Sequence, residues 1–409
     1  MTPTSASQSD RRWVVAIHGA RDYYSGARYL HSAGRLERLY TDLWIPPTSA
    51  NLLGRLAPSA EGRWHPELAK ADVRSDNIRS ILQRLRKRGT RYEGWLIDGS
   101  RVASRTVRGM IGQDTHELGL FGYTGGTLEM MDFARREGIP GVHAQVDPGI
   151  AWYQCRDEAL AEWPGAEDAS EAPDPRYLDR IRAELDSASC IIVNSKHSAA
   201  SLISQGVDGS KITIVPLATR AAAAHVSLDR SDRRDRPFRV LFVGSVMIAK
   251  GYPYFAEAAK LVGSAAEFVA AGSMILRQEF LAQHHWPVRS TGHLSRSMLA
   301  DLMANSDVLV FPTLSDGFGL VQLEAMAAGL PVIATRFCGD VVEDGVSGFL
   351  IPARDAQAIA SAVMTLRDDP VRYAEMSAAA IRRVADFAPD VVAPQFIAAL
   401  DAAWSGATC

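Results

Sequence analysis

Two carboxylates eight residues apart, set around a Gly-x-Gly turn, constrain this chain more than any other feature. They are Asp316 and Glu324, in the stretch Ser315-Asp316-Gly317-Phe318-Gly319-Leu320-Val321-Gln322-Leu323-Glu324-Ala325-Met326-Ala327-Ala328-Gly329-Leu330-Pro331. An apolar strand pattern, Asp307 to Thr313, comes directly before it. Leu320, Leu323, Met326 and Ala327 then recur at helical three- and four-residue steps. Gly329 followed by Pro331 closes that helix in the order expected of a C-terminus. The glycines therefore sit at a strand-to-helix turn, where free backbone N–H groups and the helix dipole favour an anion. Gly317 and Gly319 let the backbone approach that anion closely. Glu324 falls about a turn and a half into the helix, within reach of a neighbouring hydroxyl.

The same alternation runs through the second half. Strand patterns at Phe238 to Gly244, Glu267 to Gly272, Val288 to Gly292, Asp307 onward, Pro331 to Thr335 and Phe349 to Pro352 are interleaved with helical patterns such as Tyr252 to Val262 and Met298 to Asn305. This spacing implies a parallel sheet with helices on both faces, an α/β fold. The first half alternates less regularly, with strand patterns at Trp13 to His18, Leu39 to Ile45, Leu118 to Tyr123, Gly141 to Asp147, Cys190 to Ser195 and Lys211 to Leu217. Residues 219–237 are charged and aperiodic, which reads as a linker between a 12–218 domain and a 238–388 domain. Residues 1–11 read as a polar, disordered tail.

At 409 residues there is chain enough for two cores. A net charge of -3 excludes a chain-wide basic footprint for nucleic acid. Cys155, Cys190, Cys338 and Cys409 are scattered, with no C-x-x-C pair, which argues against a structural zinc site and fits a reducing cytoplasm. The first apolar run, Trp13 to Ile17, is too short for a signal peptide or a membrane span.

The Asp316 to Glu324 segment resembles the carboxylate-x7-carboxylate signature of retaining family-4 glycosyltransferases, which have the GT-B fold of two Rossmann-like doubly wound domains facing across a cleft. That family usually opens the motif with Glu, where this chain has Asp316. By this resemblance Asp316 faces a donor sugar, the backbone of Gly317, Phe318, Gly319 and Leu320 cradles sugar and diphosphate, and Glu324 holds the ribose of a nucleotide. The family's last helix crosses back to the first domain, which places that return in 389–409.

Val243-Gly244-Ser245-Val246-Met247-Ile248-Ala249-Lys250-Gly251 resembles the family's diphosphate loop, with Lys250 kept and Ser245 where an Arg is usual. A leaving group with two charges needs cations, and a Ser hydroxyl can still donate one hydrogen bond. By the same resemblance the loops at Gly272 and His293 border the nucleobase. Gly19, in the first strand-to-helix turn, approaches donor and acceptor. His143 stands near the strand end where many members carry an active-site His, and Asp147 competes with it for that role. Glu184 and Asn194-Ser195 also resemble family positions and read as scaffold.

Arg74, Arg79, Arg84, Arg86, Lys87, Arg88, Arg91, Arg101, Arg105 and Arg108 accompany an apolar stripe of Ile78, Ile81, Leu82 and Leu85. The 74–108 segment suits either docking on anionic lipid or a solvated face above a core stripe.

The resemblance implies a cytoplasmic glycosyltransferase, peripheral at the inner membrane face if 74–108 docks. It would take a nucleotide-diphosphate sugar and a saccharide, lipid-linked or small-molecule acceptor, with retention of configuration, no cofactor and no nucleic-acid partner. No D-x-D occurs in the chain, so a metal site of that type has no candidate and transfer is expected to be metal-independent. Two alternatives stand beside this reading: a nucleotide-sugar 2-epimerase of the same fold, and a non-catalytic sugar-nucleotide-binding subunit. A nicotinamide dehydrogenase is disfavoured, because Gln322 stands where the third glycine of its fingerprint belongs.

Overall fold

The structure, a computed structural model, describes residues 11–47, 62–86, 91–168, 173–219 and 236–405, with the backbone alone at 83–86 and 91. The 1–11 tail but for Arg11, most of the 219–237 linker, Lys87, Arg88 and Cys409 lie outside the described residues.

Among the described residues every strand pairing is parallel, and the strands fall into two sheets. The first is built from β1 (Arg12–Ile17), β2 (Leu36–Thr41), β3 (Val73–Ser75), β4 (Leu118–Tyr123), β5 (Gly141–Gln145), β6 (Cys190–Val193) and β7 (Ile212–Ile214), in the order β3-β2-β1-β4-β5-β6-β7. The second holds β8 (Phe238–Val243), β9 (Ala266–Ala271), β10 (Val288–Gly292), β11 (Val308–Phe311), β12 (Val332–Thr335) and β13 (Gly348–Ile351), in the order β10-β9-β8-β11-β12-β13. Both orders reverse beside the first strand of their sheet, between β1 and β4 and between β8 and β11. In open parallel sheets such a reversal opens a crevice at the carboxyl ends of the strands.

The central strands are buried on both faces, as continuous apolar runs such as Val308–Phe311 and Val332–Thr335 require. Each sheet has a core on either side. In the second domain one core gathers Phe242, Phe255 and Val310, and the other Leu309, Leu323 and Met326. The last helix, Pro389–Ser405, leaves the second domain and buries Val392, Phe396, Ala399 and Leu400 against Trp13, Leu30 and Phe121 of the first.

The helix Ile150–Glu162 spans the two domains. Its Trp152 and Tyr153 pack with the first-domain core, while Cys155, Ala159 and Leu160 pack with the second.

Candidate active site

The motif loop leaves β11 at the switch point and turns into the helix Val321–Ala327. Seven residues give this helix about two turns, and its dipole acts within the first of them. Gly329, at φ 75°, ends it, and Leu330 N donates back to Ala325 O at 3.0 Å. Gly319 has φ 82°, and a Cβ there would lie 2.5 Å from the Phe311 ring. Phe318 points away from the cleft, buried edge-on against Phe387, so only its backbone faces a ligand.

Lys250 ends the short turn Ile248–Lys250 that follows β8. Two bonds stitch this turn to the motif loop: Leu314 N to Ala249 O at 3.0 Å and Thr313 Oγ1 to Ala249 O at 3.3 Å. The stitching sets the Lys250 ammonium in an ion pair with the Asp316 carboxylate. Opposite them stands Asp147, just beyond β5. Its Oδ1 accepts from Gln145 Nε2 at 2.6 Å and from Gly149 N at 2.9 Å. Burial pushes the Asp147 carboxyl up, Arg21 opposes this, and the nearby Asp316 charge adds to it.

Glu324 faces a cavity of about 420 Å³ between the domains, lined also by Leu320, Arg296, Asp22, Tyr23 and Trp64. Among the described residues its carboxylate has no hydrogen-bond partner. Burial raises its pKa and Arg296 opposes the rise. Across the cavity, the Arg296 guanidinium lies 4.3 Å from the Tyr23 ring centroid. Tyr23 belongs to an unusual turn in which Asp22, Tyr23 and Tyr24 all have positive φ, 49°, 52° and 60°. Each such residue costs roughly 1–2 kcal/mol, and strain of this kind gathers at ligand sites.

The remaining candidate residues fall in two places. Gly244 (φ 142°), Ser245, Gly272 (φ 152°) and the exposed His293 lie at the carboxyl ends of β8, β9 and β10. A Cβ on Gly272 would fall 1.8 Å from Gly244 O, so these two loops touch through glycine. Gly19 (φ 88°) begins the first-domain turn that carries Tyr23, and its N–H donates to Asp42 Oδ1 at 2.9 Å.

His143 is corrected. It is fully buried inside β5, with Nδ1 2.7 Å from Thr127 Oγ1 and Nε2 3.0 Å from Gln145 Oε1. Both ring nitrogens are occupied within the domain and burial holds the imidazole neutral, so it has no surface for a substrate. His143, Gln145 and Asp147 share one face of the strand and are linked in a hydrogen-bonded row, but His143 sits in the middle of β5, whereas Asp147 lies beyond its carboxyl end and is the group of that segment that reaches the cleft. Glu184 is also fully buried, and accepts from Gly125 N at 2.7 Å and Thr127 N at 2.9 Å.

Sequence reasoning missed Asp22, Tyr23 and Arg296. Asp22 follows Arg21 in the Gly19 turn, and that adjacency of charges was the one available signal.

Two Rossmann-like parallel sheets facing across a charged cleft define the GT-B class. Solved structures share this arrangement over their full length. HepE of Anabaena in complex with UDP has a TM-score of 0.63 at 15% identity, covering 96% of this chain and 100% of its own. Sucrose-phosphate synthase of Thermosynechococcus elongatus has a TM-score of 0.66 at 17% identity, covering 97% and 100%. Residues 237–369, which carry Lys250, Asp316 and Glu324, match the family described as glycosyl transferases group 1. A D-inositol 3-phosphate glycosyltransferase of Pseudarthrobacter chlorophenolicus is 31% identical over 237 residues, 53% of this chain and 56% of that protein. The sucrose synthase of Acidithiobacillus caldus is 46% identical over 85 residues, 19% of this chain and 11% of that one. The chain thus spans about half the length of the first of these relatives.

Proposed function

We propose that this chain transfers a sugar from a nucleotide-diphosphate sugar to an acceptor, with retention of configuration. The observation that carries this is the Lys250–Asp316 pair at the floor of the cleft, facing Asp147, with the unpartnered Glu324 in the adjoining cavity. The family of residues 237–369, the D-inositol 3-phosphate glycosyltransferase relative and the UDP complex of HepE support the reading.

In this mechanism Glu324 receives the ribose hydroxyls, as a carboxylate to which none of the described residues donates a hydrogen bond. The diphosphate meets Lys250, which exchanges its bond to Asp316 for the phosphate oxygens. Asp316 is then released toward the sugar, where its negative charge steadies an oxocarbenium-like centre. The leaving diphosphate oxygen takes the acceptor's proton on the same face. Catalysis is positioning and electrostatic complementarity, with Lys250 in the place a metal ion would otherwise occupy.

The acceptor, a saccharide, lipid-linked or small molecule, would lie on the first-domain wall near Asp147. Contact with a membrane through residues 74–108 fits the exposure of Ile78, Leu82, Arg74 and Arg79. Among the described residues no helix is long and apolar enough to cross a membrane.

The test is thermal shift and product analysis against UDP-, GDP- and ADP-sugars, with and without acceptors. A ligand at 100 times its dissociation constant stabilises by about 2.7 kcal/mol. Stabilisation by one donor and acceptor-dependent loss of it are expected. A new sugar nucleotide formed without acceptor would replace this reading with epimerisation. Binding without turnover on any acceptor would leave a binding subunit.

A further inference from the structure

Past the helix Ile150–Glu162, the chain does not return directly to the first domain. Trp163 and Ala166 enter the second-domain core, where Trp163 meets the rings of Tyr254, Phe280 and Trp286. Arg277 N donates to Ala166 O at 2.8 Å. The next residue is Glu167, whose side chain is fully buried. Its Oε2 accepts from Arg156 Nε at 3.0 Å, and lies 2.9 Å from Arg156 Nη2. Its Oε1 accepts from the backbone N–H of Ile248 at 2.7 Å.

Ile248 is the first residue of the turn that carries Lys250. We propose that Glu167, held by Arg156, is a positioning residue for Lys250. The proposal rests on the transferase reading given above and deepens it by naming what sets the cation.

Three observations favour this over a purely structural role. First, the turn Ile248–Lys250 has no side-chain cap at its start, so its leading N–H is satisfied by a group from the other domain's chain. Second, that group is one arm of a buried ion pair. A neutral acceptor would satisfy one amide equally well, and burying two charges costs solvation that their attraction barely returns. What the pair adds is a fixed geometry: the guanidinium fork locks one carboxylate oxygen and so aims the other.

Third, the same helix touches the other half of the charged pair. Cys155 Sγ lies 3.6 Å from Leu314 O, in the loop leading to Asp316. Its near end is anchored beside Asp147, through Gly149 N to Asp147 Oδ1 at 2.9 Å and Ile150 N to Gln205 Oε1 at 2.9 Å. Gly149, at φ 71° and ψ −145°, has a backbone that only glycine adopts readily. One element therefore sets Asp147, Lys250 and Asp316 relative to one another across the cleft.

Two variants separate reach from charge. Glu167→Asp keeps the charge against Arg156 but withdraws the oxygen from Ile248 by one methylene. Glu167→Gln keeps the reach and removes the charge. We expect Glu167→Asp to lower turnover by about 10- to 100-fold, as a misplacement of about 1 Å does, with donor KM little changed. Glu167→Gln should lose more thermal stability, because Arg156 loses its buried counter-charge, and should lower turnover less than Glu167→Asp does, because its oxygen still reaches the Ile248 N–H although the fork that aims it is weakened. In a Lys250→Ala background, Glu167→Asp should have no further effect on turnover.

Turnover that simply tracks thermal stability in the two variants would overturn the proposal, as would full additivity with Lys250→Ala. If the wild-type protein transfers no sugar at all, the transferase reading fails separately. Hydrogen exchange of the 246–251 peptide then decides the positioning claim. Faster exchange in Glu167→Asp than in Glu167→Gln supports it, and equal exchange overturns it.

Discussion

Gly317 of the second domain lies against Val146 of the first so closely that a Cβ on it would stand 1.9 Å from the Val146 carbonyl oxygen. This contact lies between domains rather than inside one. Gly317→Ala should therefore leave both cores intact and hold the cleft apart. The expected outcome is a near-wild-type melting temperature, a larger radius of gyration by small-angle scattering, and a loss of turnover of about 100-fold, the usual penalty for about 1 Å of misplacement. Unchanged activity would mean that the contact shown here is not part of the working state.

Glu324 offers a prediction in which stability and binding move in opposite directions. Its carboxyl is pushed up by burial, with Arg296 opposing. A carboxylate whose folded pKa is raised gives stability below its unfolded pKa and loses it as pH rises through the folded one. At neutral pH the charge is a burden to the fold, so Glu324→Gln should be at least as stable as wild type. If Glu324 holds a ribose, the same variant should bind free nucleotide more weakly by about 1.5–3 kcal/mol. Unchanged nucleotide affinity in titration calorimetry would remove Glu324 from the donor site.

The motif could be read because its parts are contiguous. Strand, Gly-x-Gly turn, helix and closing Gly329 follow one another in the chain, and each carries a local signal. Boundaries drifted where local signals fade: β2 starts at Leu36 rather than Leu39, and β3, only Val73–Ser75, has no apolar run to announce it. The helix Gln278–His284 buries only Phe280 and shows no repeat. His143 was misread for a different reason. His143 and Asp147 share one face of β5, and which of them reaches the cleft depends on where the strand ends, at Gln145, a boundary that the apolar pattern does not mark. Tyr23 with Arg296, and Glu167 with Ile248, are pairs drawn from opposite domains, so neither partner signals the other in sequence.

Asp22 carries a pH dependence of its own. Burial pushes its carboxyl up to about 6, Arg21 opposing. Between its unfolded value near 3.8 and about 6, the folded state binds more protons than the unfolded one. Stability from this group is thus full below about pH 4 and falls as pH rises to about 6, a loss on the order of 2–3 kcal/mol. Asp22→Asn should flatten that part of the pH profile in urea unfolding. A profile identical to wild type would show that Asp22 titrates as an ordinary surface carboxyl.

The helix Asn77–Arg86 exposes Ile78 at 78% and Leu82 at 49%, and contains three arginines and no acidic residue. If this face meets anionic lipid, the protein should sediment with anionic vesicles and not with neutral ones. Salt should weaken the binding, since exposed charges are screened over about 8–10 Å at physiological ionic strength. Replacing Ile78 and Leu82 together by Ser, or Arg74 and Arg79 together by Gln, should each reduce it. Equal behaviour on both vesicle types, or none on either, would return this helix to an ordinary solvated face.

The Lys250–Asp316 pair supports the sharpest division of labour. Lys250→Ala removes the cation and leaves Asp316 unpaired, facing Asp147, whose carboxyl already feels its charge. Two penalties then act on a nucleotide-diphosphate sugar: no ammonium for the phosphates, and a bare carboxylate beside them. Turnover should fall by about 100-fold or more, as when one oxyanion donor is lost. Affinity for the free nucleoside diphosphate should fall as well. Asp316→Asn should depress turnover strongly while leaving that affinity nearly intact, because Asp316 acts on the sugar. The double variant Lys250→Ala/Asp316→Asn should then regain part of the nucleotide affinity and none of the turnover. Lys250→Arg should recover only part of either, since a guanidinium fork does not fill the place of a compact ammonium. Near-normal turnover in Lys250→Ala would show that another cation, such as Arg21 across the cleft, meets the diphosphate. Equal loss of nucleotide affinity in Asp316→Asn and Lys250→Ala would show that the two residues do not divide sugar from phosphate.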